Sequence, residues 1–139
     1  MQIRDVMTRE VDLVDPTTVL TDAARLMRDG DVGVLPVGEN DRLIGVVTDR
    51  DIVVRALANS RNPDSTPVRE AMSDKVFYCF DDQSTEEVAA NMGDQQIRRL
   101  PVVNRDKRLV GIVTLGDLSA GGATREAGAA LGLISESAH

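Results

Sequence analysis

The chain has 139 residues, of which 42% are hydrophobic and 2% aromatic, and its formal net charge is −7 with an isoelectric point near 4.6. This acidity argues against binding DNA or RNA backbones over a broad surface, and one tyrosine and two phenylalanines leave little surface for stacking on single-stranded bases. A membrane span needs roughly 18 or more consecutive apolar residues, and the chain has no such run, so neither nucleic acid nor membrane is an expected partner.

The start of the chain lacks the apolar stretch of a signal peptide. A single cysteine, Cys79, excludes an intramolecular disulfide and is typical of a reducing compartment, so we expect a cytoplasmic protein. Because Cys79 stands in an apolar run beside Phe77 and Phe80, we interpret it as a core residue rather than a nucleophile.

The first half of the chain predicts a strand, a helix, a hairpin and a second helix. Apolar–polar alternation indicates the strand, helical spacing of apolar residues indicates the helices, and β-branched runs indicate the hairpin. In chain order these are a strand at Val11–Val14, a helix from a cap at Thr17 or Thr18 to Gly30, hairpin strands at Val34–Val37 and Leu43–Val47, and a helix opened by Thr48. The polar stretch Asn59–Pro67 predicts a linker.

The second half predicts the same β-α-β-β-α order. Its elements are a strand at Val76–Phe80, a helix opened by a capping box from Ser84 to Glu87, hairpin strands at Leu100–Val103 and Leu109–Val113, and a helix opened by Thr114. Beyond Gly121 the tail carries apolar residues at near-helical spacing. It predicts a weak amphipathic helix that packs either on a partner chain or on its own core.

The two halves of the chain are an internal sequence repeat. They match at a shift of 65 positions up to Leu35-Pro36-Val37 and at a shift of 66 after the hairpin turn, where Arg42, Leu43, Gly45, Val47, Thr48 and Asp51 meet identical residues. Each half is too small to be stable alone, so we expect a shared interface. The predicted division is repeat one at 1–62, repeat two at 63–120 and a tail at 121–139.

Each half opens its last helix with the same pair, Thr48 with Asp51 and Thr114 with Asp117. Side chains three apart in a first turn lie on one edge of the helix. This arrangement suits a ribose diol, because a carboxylate accepts hydrogen bonds from two hydroxyl groups, and the free N–H groups of a helix start favour a nearby phosphate. Helix capping by the same side chains explains both copies equally well, and the sequence leaves the two interpretations open.

Arg50 lies in the first turn of the helix after Thr48, where a cation opposes the helix dipole. This placement indicates either an anion partner or pairing with Asp49 or Asp51. The second half has Gly116 at this position, so the two sites are predicted to differ.

Neither a catalytic residue nor a metal ligand is predicted. The motifs HExxH, CxxC, GxSxG and the Walker-type P-loop are missing, and the one histidine is His139. Asp49 and Asp51 lack the further His, Cys or spaced acidic ligands that a metal site needs.

Three motifs recur in each half in the same order, and in the first half they are Asp5-Val6-Met7-Thr8, Val32–Val37 and Gly45–Asp51. They resemble the CBS domain, and over about residues 2–120 the chain resembles a tandem CBS pair, or Bateman module. The resemblance implies an α/β (α+β) fold of two pseudo-symmetric β-α-β-β-α repeats packed sheet to sheet. It also implies a homodimer, since CBS pairs commonly dimerise through their helices.

The clefts between repeats in this family often hold adenosine-containing ligands. The resemblance therefore implies AMP, ADP or ATP, with S-adenosylmethionine and NAD ranked below them. In one AMP-binding member of the family, the residues just before the Leu-x-Val strand contact phosphate. These positions hold Arg98 and Arg99 in repeat two and Gly33 and Val34 in repeat one, so the resemblance favours repeat two for a phosphorylated ligand. The candidate residues for ribose are Thr114, Asp117, Thr48 and Asp51. The candidates for phosphate are Arg98, Arg99 and Arg50, and those for the base are Thr8, Val32, Gly33 and Val34.

The leading hypothesis is a non-enzymatic regulatory module that binds an adenine nucleotide in the cleft between repeats and signals to an effector protein. The alternative is a ligand-independent dimeric interaction module in which the Thr and Asp residues only cap helices. A third option, sensing of a metal or nucleic acid, predicts binding that does not depend on adenosine.

Overall fold

The computed structural model describes residues 1–137, which fall into two compact units. We call Asp12–Val76 the N-unit, and Met1–Val11 together with the chain from Phe77 onward the C-unit. The N-terminal segment thus belongs to the same compact unit as the second repeat, although in sequence it is part of the first. His139 lies outside the described residues.

The N-unit consists of one helix, a hairpin and a second helical segment. Its elements are α1 (Leu20–Gly30), β1 (Val34–Glu39), β2 (Arg42–Thr48) and α2 (Asp49–Asp51), which continues through a π-helical turn (Ile52–Ala56) and a 3-10 turn (Leu57–Asn59). A further 3-10 turn covers Val68–Glu70. β1 and β2 pair antiparallel around Asn40 and Asp41, which have φ of 54° and 64°, so the predicted hairpin is confirmed.

The strand predicted at Val11–Val14 is wrong in extent, because only Val14 pairs, as a parallel bridge to Val37. The pairing ends there because Asp15 turns the chain and Pro16 has no N–H to donate. The Asp15 carboxylate accepts from the Thr17 N–H at 2.8 Å.

Helix α1 begins at Leu20, and the predicted cap at Thr17 or Thr18 is wrong. The backbone of the predicted linker caps the helix instead, since the Leu20 N–H donates to the carbonyl of Thr66 at 2.9 Å. Thr66 is buried, so this stretch is docked onto the start of α1.

The C-unit contains the full β-α-β-β-α order and one additional helix. Its elements are β3 (Cys79–Phe80), α3 (Thr85–Gln95), β4 (Arg99–Val103), β5 (Leu109–Thr114), α4 (Leu115–Ala120) and α5 (Thr124–Ser137). β3 pairs parallel with β4, which pairs antiparallel with β5. Ser84 caps α3 by accepting from the Glu87 N–H at 3.1 Å, as predicted, whereas the Glu87 carboxylate bonds Gln83 rather than closing a box. The predicted α+β class is confirmed.

Each unit has its own apolar core, built from aliphatic residues. In the N-unit the predicted face of α1 is buried through Leu20, Ala23 and Met27. In the C-unit, α5 buries Ala127, Ala130 and Ile134 against α3 and α4, so the tail packs on its own unit through this face.

Candidate functional site

The Thr114–Asp117 pair forms a reciprocal capping box at the start of α4. The Asp117 N–H donates to Thr114 Oγ1 at 3.1 Å, and the Thr114 N–H donates to Asp117 Oδ2 at 3.0 Å. No hydrogen bond or ion pair within residues 1–137 uses Asp117 Oδ1. The cap therefore fixes the carboxylate and leaves one of its oxygens available as an acceptor.

The Thr48–Asp51 pair forms the same box at the start of α2. The Asp51 N–H donates to Thr48 Oγ1 at 3.0 Å, and the Thr48 N–H donates to Asp51 Oδ2 at 2.9 Å. Here the other oxygen has a neighbour, since Arg55 Nε lies 3.8 Å from Asp51 Oδ1. The two predicted ribose sites thus share their backbone geometry and differ in the charge beside the carboxylate.

Arg98 and Arg99 stand beside the Thr114–Asp117 pair. Arg99 pairs with Thr114 in the register of β4 and β5, and the Leu115 N–H donates to the Arg98 carbonyl at 3.1 Å. Both arginine side chains are exposed, and neither forms an ion pair with a described residue. The backbone therefore holds two unpaired cations at the edge where Thr114 and Asp117 lie.

The equivalent edge of the N-unit carries a carboxylate instead of cations. Val34 pairs with Thr48, and the Asp49 N–H donates to the Gly33 carbonyl at 2.9 Å. The Asp49 side chain lies against Gly33 so closely that a Cβ on Gly33 would be 2.9 Å from Asp49 Oδ2. A side chain at position 33 would displace the Asp49 carboxylate, and the negative charge of Asp49 beside this edge disfavours a phosphate.

The residues predicted to line the base are divided between the units. Thr8 lies in the C-unit, where it exchanges two backbone hydrogen bonds of 2.9 Å with Ile112. A Cβ on Gly111 would be 2.8 Å from the Thr8 carbonyl, so this glycine permits the close approach. Val32, Gly33 and Val34 belong to the N-unit, with the other Thr–Asp pair.

Arg50 is exposed and forms no ion pair with a described residue, so pairing with Asp49 or Asp51, one of the two alternatives left open by the sequence, does not occur. Its backbone N–H donates to Asp49 Oδ1 at 2.8 Å. The cation beside Asp51 is Arg55, which the sequence analysis missed. The spacing of four residues on a helix was the available signal.

Two pockets contain residues that the sequence analysis did not single out. One, of about 310 Å³, lies in the C-unit and includes Ile97 and Leu100, which flank the two arginines in sequence; its other lining residues are Phe77, Tyr78, Asn91 and Gln95. The other, of about 430 Å³, lies in the N-unit and is lined by Arg55, Arg69, Met72, Ser73, Asp74 and Lys75.

The interpretation of Cys79 as a core residue is confirmed. Its side chain is 3% exposed, and burial raises the pKa of the thiol to about 12, with a smaller contribution from Asp81. At neutral pH the thiol is protonated, which makes it a poor nucleophile. No group of three or more His, Cys, Asp or Glu residues that could hold a metal ion occurs within 1–137. None of the helices formed by those residues is long and apolar enough to cross a membrane.

A protein-family model of the CBS domain matches the chain twice, over residues 3–57 and 68–121. The chain belongs to the CBS-domain family. Its curated relatives include hypoxic response protein 1 of Mycobacterium tuberculosis, which is 41% identical over 117 residues, or 84% of this chain and 81% of the relative. These matches confirm the tandem CBS pair predicted from the repeated motifs.

Solved structures of CBS proteins have the same fold. The crystal structure of hypoxic response protein I, described with two coordinated zinc ions, matches with a TM-score of 0.76 at 39% identity, covering 87% of this chain and 98% of that one. CBSX2 in complex with AMP matches with a TM-score of 0.76 at 27% identity, covering 90% and 98%. The CBS pair of MJ0100, in complex with 5′-methylthioadenosine and S-adenosyl-L-methionine, matches with a TM-score of 0.73 at 25% identity over 90% and 98%.

Proposed function

We propose that this CBS pair is a regulatory module that binds an adenine nucleotide through Thr114, Asp117, Arg98 and Arg99, and that the binding is read by a partner protein. The observation that carries the proposal is the state of Asp117. Its carboxylate is fixed by the cap, and Oδ1 meets no hydrogen-bond donor or cation among the described residues.

Asp117 supplies the contact to ribose. A fixed carboxylate oxygen accepts hydrogen bonds from vicinal hydroxyl groups without losing side-chain entropy on binding. Hydrogen bonds to a charged group contribute about 1.5–3 kcal/mol, which is enough to select a ribose over a sugar without those hydroxyls. Thr114 keeps the carboxylate in place through the reciprocal bond.

Arg98 and Arg99 supply the contact to phosphate. They are exposed cations without ion pairs among the described residues, in a chain of net charge −7. A guanidinium group matches the oxygens of a phosphate through paired N–H donors, so two of them favour a phosphorylated ligand over adenosine. AMP, ADP and ATP are the proposed ligands, ahead of S-adenosylmethionine and NAD.

The base requires apolar surface. The predicted residue Thr8 lies in the same unit as Thr114, and the pocket that includes Ile97 and Leu100 adds apolar and aromatic surface next to the arginines in sequence. The complexes of CBSX2 with AMP and of MJ0100 with S-adenosyl-L-methionine support this ligand class for a related fold. The pair Thr48 and Asp51, with Arg50, Val32, Gly33 and Val34, is proposed as a weaker second site.

The proposed module acts as a cytoplasmic homodimer rather than as an enzyme. Three large apolar side chains of the second helical segment are exposed: Val53 by 54%, Val54 by 45% and Leu57 by 51%. An apolar strip of this kind favours association with a second copy. The cytoplasmic location rests on the single cysteine of the sequence.

A ligand-independent interaction module is the second candidate, and one observation favours it. Both Thr–Asp pairs complete a capping box, so helix capping alone accounts for the presence of these residues. Under this second candidate function, the protein is a homodimer that binds no nucleotide.

Isothermal titration calorimetry on protein stripped of bound nucleotide separates the two candidates. We expect AMP, ADP or ATP to bind, adenosine to bind more weakly, and the Asp117→Ala variant to bind at least about tenfold more weakly than wild type. If AMP, ADP, ATP, S-adenosylmethionine and NAD all failed to give binding heat at millimolar concentration, the nucleotide module would be rejected and the interaction module would remain.

A further inference from the structure

Each repeat has a methionine that packs against a glycine of a β-strand. Met7 and Met72 occupy the same repeat position, and each side chain is partly buried against the core of its unit. A Cβ on Gly111 would be 2.8 Å from Met7 Sδ, and a Cβ on Gly45 would be 3.1 Å from Met72 Sδ. The two thioether sulfurs therefore lie directly on β5 in the C-unit and on β2 in the N-unit.

The two glycines are explained by this contact rather than by backbone conformation. Neither has the positive φ that favours glycine. A backbone carbonyl approaches each of them as well, since a Cβ would be 2.8 Å from the Thr8 oxygen at Gly111 and 2.7 Å from the Ser73 oxygen at Gly45. A sulfur and a carbonyl thus fill the space over each glycine, and the strand side of the sulfur has no room for another atom.

The residue after each methionine is hydrogen-bonded to the same strand. Thr8 exchanges two backbone hydrogen bonds of 2.9 Å with Ile112, and Ser73 exchanges two of 2.9 Å with Val46. Ile112 and Val46 stand two positions before the threonine that begins the capping box of their unit. Displacement of the sulfur would therefore open hydrogen bonds close to each box.

The other three methionines of the chain have different surroundings. Met1 is exposed, whereas Met27 and Met92 are buried in the two cores. Met7 and Met72 are only partly buried, and Met72 lines the N-unit pocket of about 430 Å³, which admits a small oxidant. These two methionines are thus both packed against the fold and reachable from solvent.

Cys79 does not compete for an oxidant. Its side chain is buried, and burial raises the pKa of the thiol to about 12, so the reactive thiolate is scarce at neutral pH. A thioether has no proton to lose and reacts with peroxide in its neutral form. Oxidation of this chain by peroxide is therefore expected at methionine rather than at cysteine.

We propose that Met7 and Met72 form a redox-sensitive switch, in which hydrogen peroxide converts each thioether to a sulfoxide and opens the pairing beside it. The O–O bond breaks, one oxygen forms an S–O bond at Sδ, and the other leaves as water with both peroxide hydrogens. The sulfur loses the two electrons that the peroxide gains. The sulfoxide is larger and polar, so it does not fit between the glycine and the apolar core. A thiol-dependent sulfoxide reductase reverses the step.

The test treats the full chain with hydrogen peroxide and measures both the oxidised sites and the exchange of individual amides. Peptide mass spectrometry should find Met7 and Met72 oxidised while the two core methionines remain reduced. The Ile112 and Val46 amides donate to the carbonyls of Thr8 and Ser73 in the reduced protein. NMR hydrogen exchange at these two amides should become at least about tenfold faster after oxidation, because the pairing opens.

The two units serve as controls for each other. Met7→Leu keeps the approximate volume of the side chain and removes the sulfur. Peroxide should then accelerate exchange at Val46 and leave Ile112 within about twofold of its untreated rate. Met72→Leu should give the reverse result. Each variant is compared with its own untreated sample, so a change in stability caused by the substitution itself does not enter the comparison.

A further control and three outcomes make the test decisive. Cys79→Ala should respond to peroxide as wild type does, because the thiol takes no part. Oxidation of the core methionines as fast as Met7 and Met72 would overturn the switch. Sulfoxide formation without faster exchange at the two amides would also overturn it, as would loss of both responses in either single variant. None of these measurements involves a nucleotide, so failure of the proposed function leaves the switch standing.

Discussion

The two units carry the same Thr–Asp capping box in different electrostatic surroundings. In the N-unit, Asp51 has Arg55 at 3.8 Å, and Asp49 occupies the space beside Gly33. In the C-unit the position of Arg55 is Gly121 and the position of Asp49 is Leu115, so Asp117 keeps an oxygen without a partner among the described residues. The local geometry of the two boxes is therefore the same. The proposed difference in ligand binding rests on the residues that lie within a few positions of each box.

The helices that follow the two boxes differ as well. In the C-unit, α5 packs on α4, and the residues at the positions of Val53, Val54 and Leu57 are small: Ser119, Ala120 and Ala123. Within residues 12–76 no α-helix follows the second helical segment of the N-unit, and its large apolar side chains stay exposed. In the C-unit, α5 packs on the helix that follows the box, whereas the corresponding helical segment of the N-unit has an exposed apolar surface.

The largest expected effect is on this surface. Val53→Glu together with Leu57→Glu should raise the dimer dissociation constant by at least about a hundredfold, because two charges would be buried without partners in an apolar interface. Analytical ultracentrifugation measures the change. The matched control is Leu131→Glu with Leu133→Glu on α5, which should leave the dimer intact. A monomeric wild type, or equal dissociation in both variants, would contradict the assignment.

The next effect compares the two carboxylates. Asp117→Ala should weaken AMP binding by roughly ten- to 150-fold, corresponding to about 1.5–3 kcal/mol for hydrogen bonds to a charged group. Asp51→Ala removes an identical cap and should leave AMP binding at the proposed Asp117 site unchanged, because Asp51 lies beside Arg55 and is not part of that site. Calorimetry on both variants decides, and equal losses would show that the effect comes from capping rather than from ligand contact.

A smaller effect concerns the arginines at the start of β4. Arg98→Gln with Arg99→Gln should lower the preference for AMP over adenosine by about tenfold while adenosine affinity stays constant, because only the phosphate loses its partners. The control Lys107→Gln with Arg125→Gln removes two exposed charges of the C-unit and should not alter the preference. Competition titrations measure the ratio, and a parallel loss for adenosine would argue against a phosphate contact.

Features set by neighbouring residues could be predicted from the sequence. Both hairpins and both Thr–Asp boxes follow from patterns that span a few positions, and each pattern occurs in both halves of the sequence. The pairing of Asp51 with Arg55 also has a local signal, the spacing of four residues on a helix, but Arg50 in the first turn is nearer to Asp51 in sequence and was the predicted candidate.

Features set by distant residues could not be predicted in this way. The start of α1 depends on the Thr66 carbonyl, and nothing near Leu20 indicates that acceptor. The pairing of Thr8 with Ile112 joins the first residues of the chain to the second repeat. The pocket of about 430 Å³ in the N-unit likewise combines Arg55 with a separate segment that begins at Arg69. In each case tertiary structure brings together groups that sequence spacing leaves apart.

The smallest expected effect tests what the two boxes still have in common. Thr48→Ala and Thr114→Ala should each lower the free energy of unfolding by about 1 kcal/mol, because each removes the hydroxyl that accepts from the Asp N–H. Urea denaturation measures this loss, and Thr→Ser at either position should restore most of it by keeping the hydroxyl. Nearly equal losses in stability, combined with unequal losses in AMP affinity, would show that both pairs cap helices and that Thr114–Asp117 also binds nucleotide. If stability and affinity fell in the same proportion at both positions, the two sites would be equivalent, and the charge difference at Arg55 and Asp49 would have no functional consequence.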